Sequence, residues 1–107
     1  MPRMARKKKK AAAPDPRFAP IAERLIAARR AQPSDLDQVE FARRAGISQN
    51  TYNQYEKAHR RPSLDNAIKL CRTYNLSLDW IYLDEAGGLS ARVWRDIIAA
   101  SPHLSDE

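Results

Sequence analysis

The sequence predicts an all-α fold: a compact bundle of five short helices, with a C-terminal amphipathic helix after it and a disordered basic arm before it. Three observations support this prediction. Apolar residues recur at spacings of three and four along much of the 107-residue chain. Residues that cap or end helices separate these stretches at short intervals. The sequence has only three glycines and few runs of β-branched residues, which argues against a β-sheet protein.

Charge and composition divide the chain into three regions. Residues 1–17 are expected to form a flexible basic arm and linker, residues 18–83 the helical domain, and residues 84–107 a C-terminal helix with an acidic tail. Such an arm favours a polyanionic partner such as nucleic acid, although a solvated, disordered terminus is the alternative. Its positive charges are Arg3, Arg6, Lys7, Lys8, Lys9 and Lys10.

The first two helices are predicted from their end signals. The first starts near Pro20, a favourable first-turn residue, and runs to about Ala31. The second begins after Asp37, which can cap it, and Glu40 three residues later completes a capping-box-like pair. Gly46 is expected to end this helix in the left-handed conformation, which glycine adopts without a Cβ penalty.

The later helices are predicted from a repeated serine signal. We expect Asn75 to end the fourth helix in the left-handed conformation, and Tyr52 and Tyr55 to face inward from the third. The last amphipathic stretch has an apolar face that either completes the core or mediates self-association. The expected N-caps are Ser48, Ser63, Ser77 and Ser90, and the apolar face consists of Val93, Trp94, Ile97 and Ile98.

The third helix carries an unusual concentration of side-chain amides. An amide offers both a donor and an acceptor, so it matches adenine N6 and N7 in a bidentate pair worth ~1–3 kcal/mol of discrimination. Residues at the N-terminus of a recognition helix reach deepest into the major groove. A solvated polar face is the alternative. The candidate base-reading residues are Gln49, Asn50, Asn53 and Gln54.

Residues 36–83 resemble the lambda-repressor and Cro-like helix-turn-helix family, also called the Xre family. The resemblance is carried by Leu-Asp-Gln at 36–38, Gly-Ile-Ser at 46–48, Tyr-Glu at 55–56 and Arg-Pro-Ser-Leu at 61–64. It implies a five-helix lambda-repressor-like bundle. It also implies sequence-specific binding to double-stranded DNA by a bacterial or phage transcriptional regulator, specifically a repressor, with the helix at about 48–57 in the major groove.

The resemblance also implies roles for individual residues. Gln38 is expected to contact a phosphate and to orient Gln49, and Glu56 to form a structural salt bridge with Arg29 or Arg24. Two positions depart from the family pattern, since Tyr52 replaces the usual Ile or Val and Ala58 replaces a common Gly. The other implied phosphate-contacting residues are Ser48, Thr51, Arg43, Lys57, Arg60 and Arg61.

The resemblance also suggests the binding partners of the protein. DNA sites of this class are usually two-fold, which favours a homodimer, at least on DNA. A toxin or an anti-repressor is a possible protein partner. One alternative function is the antitoxin of a toxin–antitoxin pair with autoregulatory DNA binding. A second alternative is a non-specific nucleic-acid-binding adaptor driven by the basic arm.

Other functional classes lack support in the sequence. The single cysteine, Cys71, is interpreted as a small core residue, and the two histidines, His59 and His103, lie in polar or terminal stretches. We therefore expect no enzyme activity, no cofactor and no metal. No apolar run approaches the ~18 residues that a membrane span needs, so we expect a cytoplasmic, nucleoid-associated protein and no membrane partner.

Overall fold

The computed structural model describes residues 13–34 and 36–105. The basic charges predicted to form an arm, between residues 3 and 10, lie outside these described residues. Within the described part there are six α-helices and no strand, which confirms the all-α prediction. The helices are α1 (Ala19–Arg30), α2 (Gln38–Ala45), α3 (Gln49–Glu56), α4 (Leu64–Tyr74), α5 (Leu78–Leu83) and α6 (Ala91–Ala100), with short 3-10 turns at Ala86–Gly88 and Pro102–Ser105.

Serine hydroxyls cap four of the helices, as predicted. Each accepts a hydrogen bond from the backbone N–H three residues later, which satisfies one of the donors left free at a helix start. The bonds run from Thr51 N to Ser48 Oγ at 3.2 Å, Asn66 N to Ser63 Oγ at 3.2 Å, Trp80 N to Ser77 Oγ at 3.0 Å and Val93 N to Ser90 Oγ at 3.1 Å.

The start of α2 confirms only half of its predicted capping box. Asp37 Oδ1 accepts from Glu40 N at 2.9 Å. The prediction of a reciprocal bond from the Glu40 side chain is wrong, because that carboxylate accepts from Arg43 Nε at 2.9 Å and Arg44 Nε at 2.7 Å. Two guanidinium groups one turn along the helix offer charge-assisted bonds, which are stronger than a bond to a backbone amide.

Left-handed residues end several helices. Gly46 has φ 78° after α2 and Asn75 has φ 59° after α4, as predicted. Ala58, in the position where the family commonly has Gly, also adopts this conformation with φ 61°. The turn after α3 therefore keeps a left-handed residue although its glycine is absent.

The core lies where α1 to α6 meet. The ring of Phe41 stacks on that of Tyr74 with centroids 4.0 Å apart, and the Tyr74 hydroxyl donates to Phe41 O at 2.7 Å. Tyr52 is fully buried, so its larger ring is accommodated inside the bundle. The largest fully buried side chains are Trp80, Tyr52, Phe41, Leu25, Leu70, Ile81 and Ile97.

The residues of the predicted apolar face of α6 differ in how deeply they are buried. Ile97 is 1% exposed and belongs to the core. For this residue, the alternative that the apolar face completes the core is confirmed. Val93 and Trp94 are half-buried and pack against the core, and Ile98 is also half-buried. A self-association role for the exposed parts of this face stays a prediction. Among the described residues, no helix is long and apolar enough to cross a membrane.

The last residues of the expected flexible linker are attached to the bundle. Asp15 N donates to Ala58 O at 2.9 Å, and the Arg17 side chain bonds to the Asp15 carboxylate at 2.8 Å. The guanidinium group of Arg61 lies 5.5 Å from the ring centroid of Phe18. The chain therefore approaches α1 alongside the loop that follows α3, and it is already bonded to that loop at residue 15.

Candidate nucleic-acid interface

Two buried tyrosines determine which side of α3 faces outward. Tyr52 is 0% exposed and Tyr55 is 3% exposed, and their spacing of three places them on one side of the helix. The Tyr55 hydroxyl accepts from Asn66 Nδ2 at 2.8 Å, which ties α3 to α4. Because this side is held inside, the residues between and before the tyrosines are directed toward the surface.

The structure places the four predicted base-reading amides at or near the surface of α3. Gln49 and Asn50, in the first turn, are exposed. Asn53 and Gln54, one turn later, are half-buried. The first-turn amides follow directly after the Ser48 cap, so the short Gly-Ile-Ser turn and the cap together set where they project.

Ser48 and Thr51 form a closed pair at the start of α3. Ser48 Oγ donates to Thr51 Oγ1 at 2.9 Å while it accepts from Thr51 N. A hydroxyl has one proton to donate. The Ser48 proton is therefore used inside the protein, and the Thr51 hydroxyl proton is the one left to donate to an anion.

The predicted phosphate contacts lie in different surroundings. The Arg43 guanidinium is paired with Glu40, which raises the pKa of Arg43. Hydrogen bonds from Arg43 and from Arg44 hold the pKa of the Glu40 carboxyl at about 2. Since this ion pair is exposed, a phosphate would compete with Glu40 for the arginine. The exposed residues of the predicted set are Ser48, Arg43, Lys57, Arg60 and Arg61, and the half-buried ones are Gln38 and Thr51.

A buried carboxylate joins the helices behind this surface. Glu56 accepts from Arg29 Nε at 2.8 Å and Arg29 Nη2 at 3.0 Å, from Gln38 Nε2 at 2.8 Å and from the Tyr52 hydroxyl at 2.7 Å. The structural salt bridge is confirmed with Arg29. The other candidate, Arg24, instead donates to Ile81 O at 3.0 Å.

This network includes side chains of Gln38 and Tyr52. One N–H of the Gln38 side-chain amide donates to the Glu56 carboxylate at 2.8 Å, and the expected orientation of Gln49 by Gln38 stays a prediction. The phosphate contact of Gln38 also stays a prediction. The Tyr52 pKa is raised well above its ordinary value by burial and by the nearby Glu56 charge. The sequence did not lead us to expect the Tyr52 hydroxyl in this network, although residues four apart on a helix, such as Tyr52 and Glu56, are neighbours on one face.

His59 is a second residue that the sequence reasoning missed. Its Nδ1 lies 3.2 Å from Gln54 Oε1, and its backbone N–H donates to Gln54 O at 3.0 Å. A shallow concavity beside this contact is lined by Asn50, Thr51, Gln54 and Arg60. No sequence signal pointed to this contact, because it depends on the left-handed turn at Ala58.

Clusters of side chains that could hold a metal ion do not occur in the part of the chain that the structure describes. There, no group of three or more His, Cys, Asp or Glu residues is placed to hold a metal ion. Burial raises the pKa of the half-buried Cys71 thiol, which favours its unreactive protonated form.

Two helices joined by a Gly-Ile-Ser turn, with amides exposed on the second, define a helix-turn-helix protein. The sequence matches the helix-turn-helix family over residues 26–81, more than half of the chain. The chain therefore belongs to this family, of the lambda-repressor-like or Xre type.

A curated relative is similar over part of its length. The chain is 34% identical over 59 residues to the uncharacterized HTH-type transcriptional regulator YobD of Bacillus subtilis (strain 168). The aligned segment covers 55% of this chain and 51% of that protein, so the chain spans about half the length of the curated relative that it matches. No solved structure gives a significant match.

Proposed function

We propose that the protein binds double-stranded DNA in a sequence-specific manner and regulates transcription as a repressor, with α3 in the major groove. One observation carries the proposal: α3 is rigidly anchored by two buried tyrosines while Gln49 and Asn50 are exposed at its N-terminus. Amides presented in this way can pair with base edges. Family membership and the name of the curated relative support the same function.

The proposed phosphate contacts surround these amides. Arg60 and Arg61, exposed in the loop after α3, would position the domain on the backbone without specifying sequence. The Thr51 hydroxyl would add a neutral donor at the start of the helix. The basic arm would extend this surface, because residue 15 is bound to Ala58 in the same loop and only a few residues separate it from Lys10.

We further propose that the protein acts as a homodimer on a two-fold operator. A single α3 reads only a few base pairs, and two copies of a domain on half-sites one helical turn apart double the specific contacts. Sedimentation equilibrium with a duplex that carries the selected site measures this directly. Two chains per duplex are expected, whereas one chain per duplex would contradict the dimer.

The proposed DNA recognition is tested by selecting bound duplexes from a random library at near-physiological salt. The wild type is compared with a Gln49→Ala/Asn50→Ala/Gln54→Ala variant. Because the triple variant keeps every charge, its phosphate binding remains while base reading is removed. We expect a two-fold motif with the wild type, and weak, motif-free, salt-sensitive binding with the variant.

A control variant, Arg92→Ala/Arg95→Ala, changes two exposed residues of α6 and should keep the motif. Motif-free binding by the wild type would contradict sequence-specific recognition. It would favour the non-specific adaptor, in which the arm carries the binding. Repression itself is checked with a reporter gene placed behind the selected site.

A further inference from the structure

Gln54 is held more firmly than the other three amides of α3. Its main-chain carbonyl accepts from His59 N at 3.0 Å and from Arg60 N at 3.3 Å. Its side-chain oxygen, Oε1, lies 3.2 Å from His59 Nδ1. The main-chain carbonyl and the side-chain oxygen of Gln54 thus both contact the loop that turns back after Ala58. Gln49 and Asn50, by contrast, are exposed in the first turn.

The contact with His59 gives the Gln54 amide a direction. A carbonyl oxygen accepts hydrogen bonds and cannot donate them, so a hydrogen bond here requires the His59 tautomer that carries its proton on Nδ1. With Oε1 turned toward His59, the NH₂ end of the amide is the end left for the concavity that Gln54 lines together with Asn50, Thr51 and Arg60. In this orientation Gln54 presents donors.

We propose that His59 is a specificity-determining positioning residue, which orients Gln54 so that it reads a base with acceptor atoms on its major-groove edge. This inference rests on the proposed DNA recognition by α3. Guanine, with N7 and O6, and thymine, with O4, offer acceptors and no amino donor on this edge, whereas adenine has the N6 amino donor beside its N7 acceptor. His59 acts through Gln54 and needs no base contact of its own.

The alternative partner of a glutamine is adenine, and the geometry disfavours it here. A bidentate pair with adenine requires the amide to bring both its oxygen and its NH₂ group to the base edge. The bond to His59 keeps the oxygen directed toward the loop after α3. The wild-type site should therefore carry guanine or thymine, rather than adenine, at the position that Gln54 reads.

The test first locates that position. A Gln54→Ala variant is put through the same library selection as the wild type, and the base pair whose preference it loses is assigned to Gln54. Two variants at residue 59 then separate the hydrogen-bond polarities. His59→Lys retains only donors, while His59→Asp supplies an acceptor that would bind the Gln54 NH₂ group and turn its oxygen toward DNA.

We expect His59→Lys to keep guanine or thymine at the assigned position. His59→Asp should shift the preference there toward adenine or cytosine, whose edges offer an amino donor, by on the order of tenfold in the affinity ratio. The two variants change the charge of the protein in opposite directions. That effect weakens or strengthens binding to all sequences alike and cancels in the ratio.

The outcomes separate this inference from the proposed function. A wild-type motif that has adenine at the Gln54 position, or that is the same in His59→Asp, would overturn the role of His59 while leaving DNA recognition intact. No motif with the wild type would overturn both. Motif positions that do not depend on Gln54 should be retained in both variants, which also shows that they are folded.

Discussion

At the scale of residues, Glu56 links α3 to two neighbouring helices. Its carboxylate is buried and accepts four hydrogen bonds, from Arg29 on α1, from Gln38 on α2 and from Tyr52 on α3 itself. A buried charge is tolerated when it is paired and fully hydrogen-bonded. The same group therefore fixes α3 against two neighbours, and it places Gln38 at the edge of the candidate interface.

Replacing Glu56 with Ala should destabilise the fold by about 3 kcal/mol, because Arg29 and Tyr52 lose their buried acceptor. Urea denaturation measures the loss. Glu40→Ala is the matched control, since Glu40 also binds two groups from arginine side chains but lies at the surface. Its loss should be much smaller, and similar losses in the two variants would contradict the central role of the Glu56 network.

The raised pKa of the Tyr52 hydroxyl should lower the stability of the folded protein at alkaline pH. Its pKa in the folded state is raised above the ordinary value of 10 by burial and by Glu56. The folded state therefore keeps a proton that the unfolded chain releases. The stability contributed by this group is fully present below pH 10 and is lost as the pH rises above it.

Urea midpoints of the wild type and Tyr52→Phe, measured between pH 9 and 12, check this expectation. The wild type should be more stable at pH 9, where the hydroxyl bonds to Glu56, and its advantage should shrink above pH 10. Burial also raises the pKa of Tyr74 and Tyr82, so both proteins lose some stability. Parallel curves would show that Tyr52 does not contribute.

At the scale of elements, the turn between α2 and α3 depends on Gly46. Its φ of 78° is in the left-handed region, and a Cβ built at this position would have nothing within 4 Å. The cost of a side chain is therefore conformational and does not come from a clash. The turn is further tied by Ile47 N, which donates to Ala42 O at 2.9 Å, and by Lys69 Nζ, which donates to Gly46 O at 3.3 Å.

Gly46→Ala should therefore destabilise the protein by about 1 kcal/mol. Gly87→Ala is the control, because its Cβ also meets nothing within 4 Å and its φ lies outside the left-handed region. That variant should be neutral or slightly stabilising. Thermal melts of the two variants measure the difference, and equal melting temperatures would contradict the conformational argument.

At the scale of the whole molecule, the described chain that follows the basic segment meets the bundle beside α3. Asp15 N is bound to Ala58 O, so the chain that leads from the basic residues meets the bundle at the loop that also carries Arg60 and Arg61. The last 24 residues, 84–107, contain more acids than bases. This arrangement would direct a polyanion to the side of α3.

Removing residues 2–10 should reduce the salt dependence of DNA binding. If about five phosphates are neutralised by the arm, the slope of log K against log[salt] should become shallower by ~4 to 5. The motif selected from a random library should not change, since base reading belongs to α3. Affinities measured at several salt concentrations check this. An unchanged slope would show that the arm makes no phosphate contacts.

Much of the fold could be predicted from local signals. Asp37 and the four serine caps, the left-handed Gly46 and Asn75 and the inward-facing tyrosines of α3 each depend on residues close together in the chain. Local sequence therefore carried enough information to set the helix order and the exposed side of α3. These are also the features that place the first-turn amides at the surface.

The remaining features required the tertiary structure. Short spacing placed Glu40 in a capping box, but competition from Arg43 and Arg44 decided its partner. The sequence left both Arg29 and Arg24 as candidate partners of Glu56, and only the packing of α1 decided in favour of Arg29.

The sequence by itself determined that this protein is an all-α helix-turn-helix chain with amides on the second helix of the motif, because caps, turns and periodicity act over a few residues. Only the tertiary structure decided which groups hold those amides. It bound Gln38 to Glu56, and it brought His59 back to Gln54 through the left-handed turn at Ala58. Such choices depend on competition among hydrogen-bond partners that come together only when the chain is folded.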